Sequence, residues 1–596
     1  LQIPILKVSE HRMAKEEFSL REMIEATPHG RQWLDGVSQT PGQSDDDHVL
    51  EKLSSLTDDG LPVAPIYPLS GTNTPSLPVA ARADAKWKML TRIDHPAPAE
   101  ANAQLLRDLE QGADGAVLVL RGSGSSHGFG IELADYTSYD TLFDNIFVDA
   151  TSLRFDGMTT AQLTLWSDFC DRRNYDQSRL DISLDAHDVS GLKDSSARLI
   201  ADATKWHDKG ATAAQELGFA LAEIVSVMCD LSGSGVDGHA IPNRIGVALS
   251  CDADQFETMA KFRAMRLLWN QLLQAMGSVE SPLNIHATTS WRMMGRRDPW
   301  TNVLRMTMAS FAAGLGGADS VTVLPHTQAL GLPDAFARRV ARNISLILQE
   351  ESHLGKMVDP AAGAGVYDTL TLSLAEAGWT IFQSLEAQGG FAAATENGAI
   401  DQMVADSRTA RMSDVVTRKI VSLGNSHFAQ LDAPAVDTLI TRPLETEQDL
   451  EPFGNLRDGI PFEQLADRAQ KLSAHTKPTI SLLCIGSRKA WKARSDFASV
   501  LFAAGGLATE ILTLDSDPAL GSLDTLKTPI ICLCGSDADY DSSARELIAR
   551  LQDAGAAHIV LAGRSDLAGL DDTLFTGCDA YAVLDRVLLV LEGLKR

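Results

Sequence analysis

Apolar and β-branched runs recur along the chain at intervals that fit strands alternating with helices. From residue 86 they fall at Trp87–Arg92, Ala116–Leu120, Ser152–Phe155 and Leu180–Leu184, then at Arg198–Ala201, Ile245–Leu249, Leu283–Thr288 and Ser320–Leu324. Helical patterns follow them, clearest in LLRDLEQG, TMAKFRAMRLLWNQLLQAMG, NVLRMTMASFAAGLGG and FARRVARNISLILQEES. Such alternation predicts a parallel sheet with crossover helices, and eight strands is the number that closes a barrel. The stretch 391–477 reads as a helical linker region ending in a Pro- and Glu-containing connector, RPLETEQDLEPFG. Beyond it the rhythm resumes in ISLLCIG, ATEILTL, PIICLCG, HIVLAG and AYAVL. Five short strands with crossovers predict a doubly wound α/β domain. The expected fold is therefore α/β: a (β/α)8 TIM barrel over 86–390, then a flavodoxin-like domain over 478–596. Residues 13–85 are polar with scattered Pro and Gly. They predict an extended N-terminal arm with one short helix near Phe18–Ala26.

Composition narrows the function classes. The formal charge of −27 argues against nucleic acid or an anionic membrane as partner, since either requires a basic face. No run approaches the roughly 20 apolar residues a membrane span needs. Seven cysteines without a C-x-x-C pair fit buried thiols in a reducing cytoplasm. Cys532 and Cys534 alternate onto one side of a strand, which is core; no metal site is expected. Residues 1–12 precede Met13 and lack a signal-peptide cleavage site, so upstream translation or a vector remnant is expected there.

Three segments carry possible chemistry. Gly122–Gly130 (GSGSSHGFG) is a Gly/Ser-rich loop after the second strand, without the Lys-Ser/Thr of a P-loop. A structural or vestigial loop is expected. The segment from His286 to Arg292 lies on and beyond the seventh strand, and barrel active sites sit at C-terminal strand ends. His286 and Thr288 point the same way and Ser290 could follow them into the lumen; a core histidine is an equal reading of His286. The first loop of the last domain is basic and bulky, with Arg488, Lys489, Trp491, Lys492 and Arg494. It reads as a solvated or partner-facing loop.

At these residues the chain becomes similar to one family. DPWTNVLRMTMASFAAGLGGADSV, LPDAFARRVARNISLILQEES and VDPAAGAGVYDTLT, with GATAAQELGFALAE and FRAMRLLW upstream, resemble the methylmalonyl-CoA mutase barrel over roughly residues 86–390. The resemblance implies a radical rearrangement of acyl-CoA esters on adenosylcobalamin, the cofactor supplying the chemistry and the protein its placement. It equally implies losses. The family's cobalamin motif, Asp-x-His-x-x-Gly, aligns with Arg488, Ala490 and Ala493, and its later Gly-Gly pair reads Gly563-Arg564. A Tyr-His pair before Gly210-Ala-Thr-Ala213 reads Thr204 and Lys205, and a substrate-binding Arg reads Asn284. Such losses match the family's small, non-catalytic subunit, which pairs with an adenosylcobalamin-binding large subunit and binds no cofactor of its own. On that reading His286, Thr288 and Ser290 line a vestigial CoA channel, Trp291 and Met293 are candidate plugs, and the arm wraps the partner. The alternative is an acyl-CoA mutase or CoA-ester-binding barrel active in its own right.

Overall fold

The structure is a computed structural model that describes residues 29–38, 46–67, 86–185, 196–443, 457–472, 477–513 and 528–594. Eight parallel strands close a barrel: β1 (Lys88–Ile93), β2 (Gly115–Val119), β3 (Ser152–Asp156), β4 (Ile182–Leu184), β5 (Arg198–Asp202), β6 (Ile245–Cys251), β7 (Asn284–Thr289) and β8 (Ser320–Thr322). β8 pairs with both β7 and β1, so no edge remains. All eight fall on the runs predicted from the hydrophobic pattern.

The surrounding helices start where side chains can cap them. Thr212 and Gln215 form a capping box for helix Ala213–Gly233, and Asp254 caps Gln255–Ala275. Asp298 precedes Pro299–Gly316, whose first-turn proline needs no N–H partner and which ends at Gly317. Ala213–Gly233 packs tightly on Gly365–Ala387: a Cβ on Gly218 would lie 2.6 Å from Ile381 Cγ2. One continuous core, from Trp87 to Val404, joins the strands to this helical layer.

The second domain is a five-stranded parallel sheet: β9 (Thr479–Cys484), β10 (Ala508–Thr513), β11 (Ile530–Cys534), β12 (His558–Ala562) and β13 (Asp572–Leu574), in the order β10-β9-β11-β12-β13. That is the flavodoxin-like order, with its switch point between β9 and β11. Cys532 and Cys534 are fully buried in the core on one face. One strand was misplaced by sequence. AYAVL belongs to helix Ala580–Leu594, and the fifth strand lies earlier. The buried positions Ala580, Val583, Leu584, Val587 and Leu588 have helical spacing, which a five-residue window does not resolve from a strand.

The arm also departs from expectation. Its Phe18–Ala26 helix lies outside the described residues, but helices form at Gly30–Ser38 and Asp46–Leu53, followed by a hairpin of Ser55–Leu56 with Pro62–Val63. Leu34 and Leu50 pack with Trp33 and Ile66 in a small core of their own. The hairpin turn docks on the barrel: Asp59 accepts from the Ala214 N–H at 2.9 Å and from Thr212 Oγ1, and Asp58 pairs with Arg411.

Candidate functional site

Alternate residues of the strands point into the barrel, where branched aliphatic side chains usually dominate. Here the lumen is largely polar. Near the N-terminal strand ends a cavity of about 190 Å³ is lined by Lys88, Ser152, Asp181, Arg198, Asn284 and His286. Lys88 and Arg198 both pair with Asp181 at 2.6 Å. His286 Nδ1 lies 2.8 Å from Ser320 Oγ, and Thr288 Oγ1 lies 3.3 Å from His286 Nε2. Burial and then the charge of Arg154 push the His286 pKa well below its ordinary value, so the imidazole is neutral.

Arg154 closes the lumen above this cavity. It rises from β3, opposite β7 in the barrel, and is 3% exposed. Its Nη2 donates to Asp202 Oδ2 on β5 at 2.8 Å, while its field reaches His286 on the facing wall. Only about 20 Å³ of free volume remains above it, between Arg92, Arg154, Asp202, Thr288 and Trp291, room for about one water. Trp291 roofs that space. Its ring stacks on His127 at 3.9 Å, with the Arg442 and Arg457 guanidiniums 4.6 and 5.6 Å from its centroid. Of the two candidate plugs, Trp291 lines the remaining free volume, whereas Met293 does not line it and is partly buried against the barrel core.

At the C-terminal strand ends a second cavity, about 280 Å³, opens under the loop Gly122–Gly130. Ser123 Oγ donates to Asp156 Oδ1 at 2.5 Å and Ser125 Oγ to Asp156 Oδ2, which fastens the loop to β3. Asp202 Oδ1 accepts from the Thr204 N–H and Oγ1 at 3.0 and 2.5 Å, holding the turn into helix Thr204–Lys209. Lys205 reaches Glu223 at 2.8 Å. Asp185 accepts from the Gly157 N–H at 2.9 and 3.0 Å. Burial and the charge of Asp156 raise its pKa to about 7. Burial raises Asp208 to about 8, although Arg292 opposes the shift.

The structure therefore separates the positions that the resemblance implies once shared one site. Thr204 and Lys205 line the upper cavity, Asn284 the lower one, and Ser290 bonds His207 Nε2 at 2.8 Å. Sequence reading missed Arg154, Asp156, Asp185, Asp202 and Asp208. A signal existed for some of them: Arg154 interrupts the apolar run SLRFD at an inward position, and Asp156 and Asp202 end their strands.

The switch point of the second sheet is filled. Ser487 precedes helix Arg488–Ala504, so the basic segment from Arg488 to Arg494, read as a loop, is helical throughout. Arg488 and Ala493 are exposed, Ala490 is half-buried, and Trp491 is buried in the core. Arg494 crosses the crevice, donating to the Gly535 carbonyl at 2.7 Å and to Asp537 at 2.6 Å, with its guanidinium 5.0 Å from the Tyr540 centroid. Gly486 turns with φ +76°, and a Cβ there would lie 2.8 Å from Asp539 Oδ1. Arg564 covers Phe575 at 4.6 Å.

Comparison with known proteins decides the family. The family model for methylmalonyl-CoA mutase matches residues 195–487. The methylmalonyl-CoA mutase small subunit of Streptomyces virginiae is 32% identical over 606 residues, covering 94% of this chain and 96% of that protein. The chain belongs to the methylmalonyl-CoA mutase small-subunit family. The small subunit of Propionibacterium freudenreichii subsp. shermanii is 32% identical, covering 66% of this chain and 63% of that protein. That of Porphyromonas gingivalis is 34% identical, covering 61% and 60%. The barrel and the flavodoxin-like sheet fit this family, and the closed lumen and bridged crevice are made by this chain's own side chains.

Proposed function

We propose that this chain is the non-catalytic small subunit of a heterodimeric methylmalonyl-CoA mutase, whose large subunit carries adenosylcobalamin and interconverts methylmalonyl-CoA and succinyl-CoA. The observation that carries this reading is the Arg154–Asp202 pair across the lumen, with Trp291 stacked above it. A pantetheine arm following the barrel axis would have to displace a buried ion pair, and freeing one partner of such a pair costs about 3–5 kcal/mol. The upper cavity adds an electrostatic objection. Five carboxyl groups and one lysine line it, and ionised Asp156, Asp202 and Glu223 outnumber the lysine, an environment that repels the carboxylate of a methylmalonyl group.

The residues present do not fit cobalamin. Ala490 has no atom to ligate cobalt, and Arg494 bridges the crevice a nucleotide tail would enter. The test is co-expression with a methylmalonyl-CoA mutase large subunit. The reading expects a one-to-one complex with mutase activity and none from this chain alone given adenosylcobalamin. Turnover by this chain alone would overturn it.

The competing reading, a barrel that still admits CoA esters, draws on the basic groups Lys88 and Arg198 at the lower cavity. Desulfo-CoA separates the two. Density reaching past Arg154 into the upper lumen favours the CoA-binding barrel, and an unperturbed Arg154–Asp202 pair favours the closed one.

A further inference from the structure

The upper cavity holds a charge arrangement that the proposed subunit role does not use. One oxygen each of Asp156, Asp185 and Asp202 can be drawn so that all three lie within 4.8 Å of one another. A single ion with bonds of about 2.1–2.5 Å spans ligands up to roughly 4.2–5.0 Å apart. The three come from the ends of β3, β4 and β5, three adjacent strands, so the closed sheet sets their spacing.

A second observation comes from a different element. Asp208, on helix Thr204–Lys209, lines the same cavity and is 7% exposed, and its buried Oδ1 has no hydrogen-bond partner among the described residues. The His127 ring stands 3.9 Å from its other oxygen, beyond hydrogen-bonding range. A buried carboxyl oxygen left without a donor is costly unless something fills the space before it. Among the described residues, the cavity lining offers Lys205 as a cation, which is committed to Glu223, while the Arg154 guanidinium reaches Asp202 Oδ2 from the lumen below and leaves Asp185 and Asp208 without a paired cation.

We propose that Asp156, Asp185 and Asp202, with Asp208 facing them, form a binding site for one hard divalent cation at the C-terminal mouth of the barrel. The donor set selects the class of ion. The lining offers carboxylates, the hydroxyls of Ser123, Ser125 and Thr204, and backbone, with no thiol or imidazole. All-oxygen sites suit Mg2+, Mn2+ or Ca2+ rather than zinc or copper. The ion neutralises the carboxylates and clasps the Gly122–Gly130 loop, held on Asp156, to the strand ends. No redox or bond-making step is assigned to it.

The experiment uses the full chain stripped with EDTA and titrated with MnCl2, free Mn2+ being read by electron paramagnetic resonance. One equivalent should bind, Mg2+ or Ca2+ should compete, and each should raise the melting temperature. Asp185→Asn keeps the acceptor for the Gly157 N–H and should weaken Mn2+ binding at least about tenfold, abolishing the thermal shift. Asp208→Asn, which loses no hydrogen bond, should weaken it as well and covers the case in which the first variant does not fold. No stoichiometric binding to the wild-type chain at millimolar Mn2+ would overturn the site. So would one equivalent held with unchanged affinity by both variants.

Discussion

Arg154 sits where a (β/α)8 barrel would place a branched aliphatic side chain, and its neighbours are built around its charge. Asp202 pairs with it at 2.8 Å and His286 is held neutral opposite it. Arg154→Ala therefore leaves Asp202 buried without its guanidinium, and urea unfolding should register a loss of about 3–5 kcal/mol. Arg154→Ala with Asp202→Asn should recover part of it; a double variant no more stable than the single one would show that the pair is not the cause. A second residue-scale prediction concerns acid. Burial alone would raise Asp94, but the charges of Arg338 and Arg92 outweigh it and hold the carboxyl well below its usual range. Asp458 is lowered in the same way by Arg411. Depressed carboxylates stabilise the fold above their unfolded value near 4 and lose that contribution as pH falls through the folded value. Asp185 and Asp208, whose folded values are raised, push the urea midpoint up as pH falls from about 8 towards 4, and the depressed carboxylates make it fall steeply below about pH 4; a midpoint that does not fall below about pH 4 would refute this. Little of this layer was legible in the sequence. Periodicity located the inward face of each strand, but not which charged residue on it would meet which partner, because partners such as Arg154 and Asp202 lie 48 positions apart.

The elements themselves were far more legible. All eight barrel strands were anticipated because each is a short apolar run between a helix end and a loop. AYAVL failed because its window is shorter than two helical turns, and the arm failed because Leu34 and Leu50 make a core too small to mark in a polar composition. The basic segment at 487–494 was read as a loop, yet it forms the first turns of a helix that buries Trp491. Restoring a ligand there is consequently not enough. Ala490→His should not confer corrin binding while Arg494 bridges to Gly535 and Asp537; visible-range absorbance of the dialysed variant checks this. Another element exposes what the subunit reading needs. Trp300, Leu304 and Met308 stand one turn apart on helix Pro299–Gly316 and are 49%, 70% and 39% exposed, with Phe336 beside Trp300. An apolar row of this kind suits a buried interface with the large subunit. Leu304→Glu should weaken that complex in gel filtration while leaving the melting temperature of the free chain nearly unchanged. An undiminished complex would move the interface elsewhere.

At the scale of the molecule, the barrel and the sheet fit the methylmalonyl-CoA mutase family, while the lumen of the one and the switch point of the other are occupied by the chain's own side chains. The two units are also tied to each other. Arg297 donates to the Ala504 carbonyl at 2.7 Å, Arg296 pairs with Asp467 at 2.5 Å, and Arg457 binds both Glu463 and the Met294 carbonyl. Arg457 also flanks Trp291, so the roof of the lumen is held by the segment that leads into the sheet domain. The described part of the arm follows the same logic, Asp58 and Asp59 docking on the chain's own barrel. No helix among the described residues is long and apolar enough to cross a membrane. The proposed role requires that this chain hold no cobalamin and leave that task to a partner. Gel filtration of the isolated chain with adenosylcobalamin, followed at the corrin absorbance, tests it most directly. Corrin eluting apart from the protein is the predicted result, and corrin co-eluting in stoichiometric amount would contradict it.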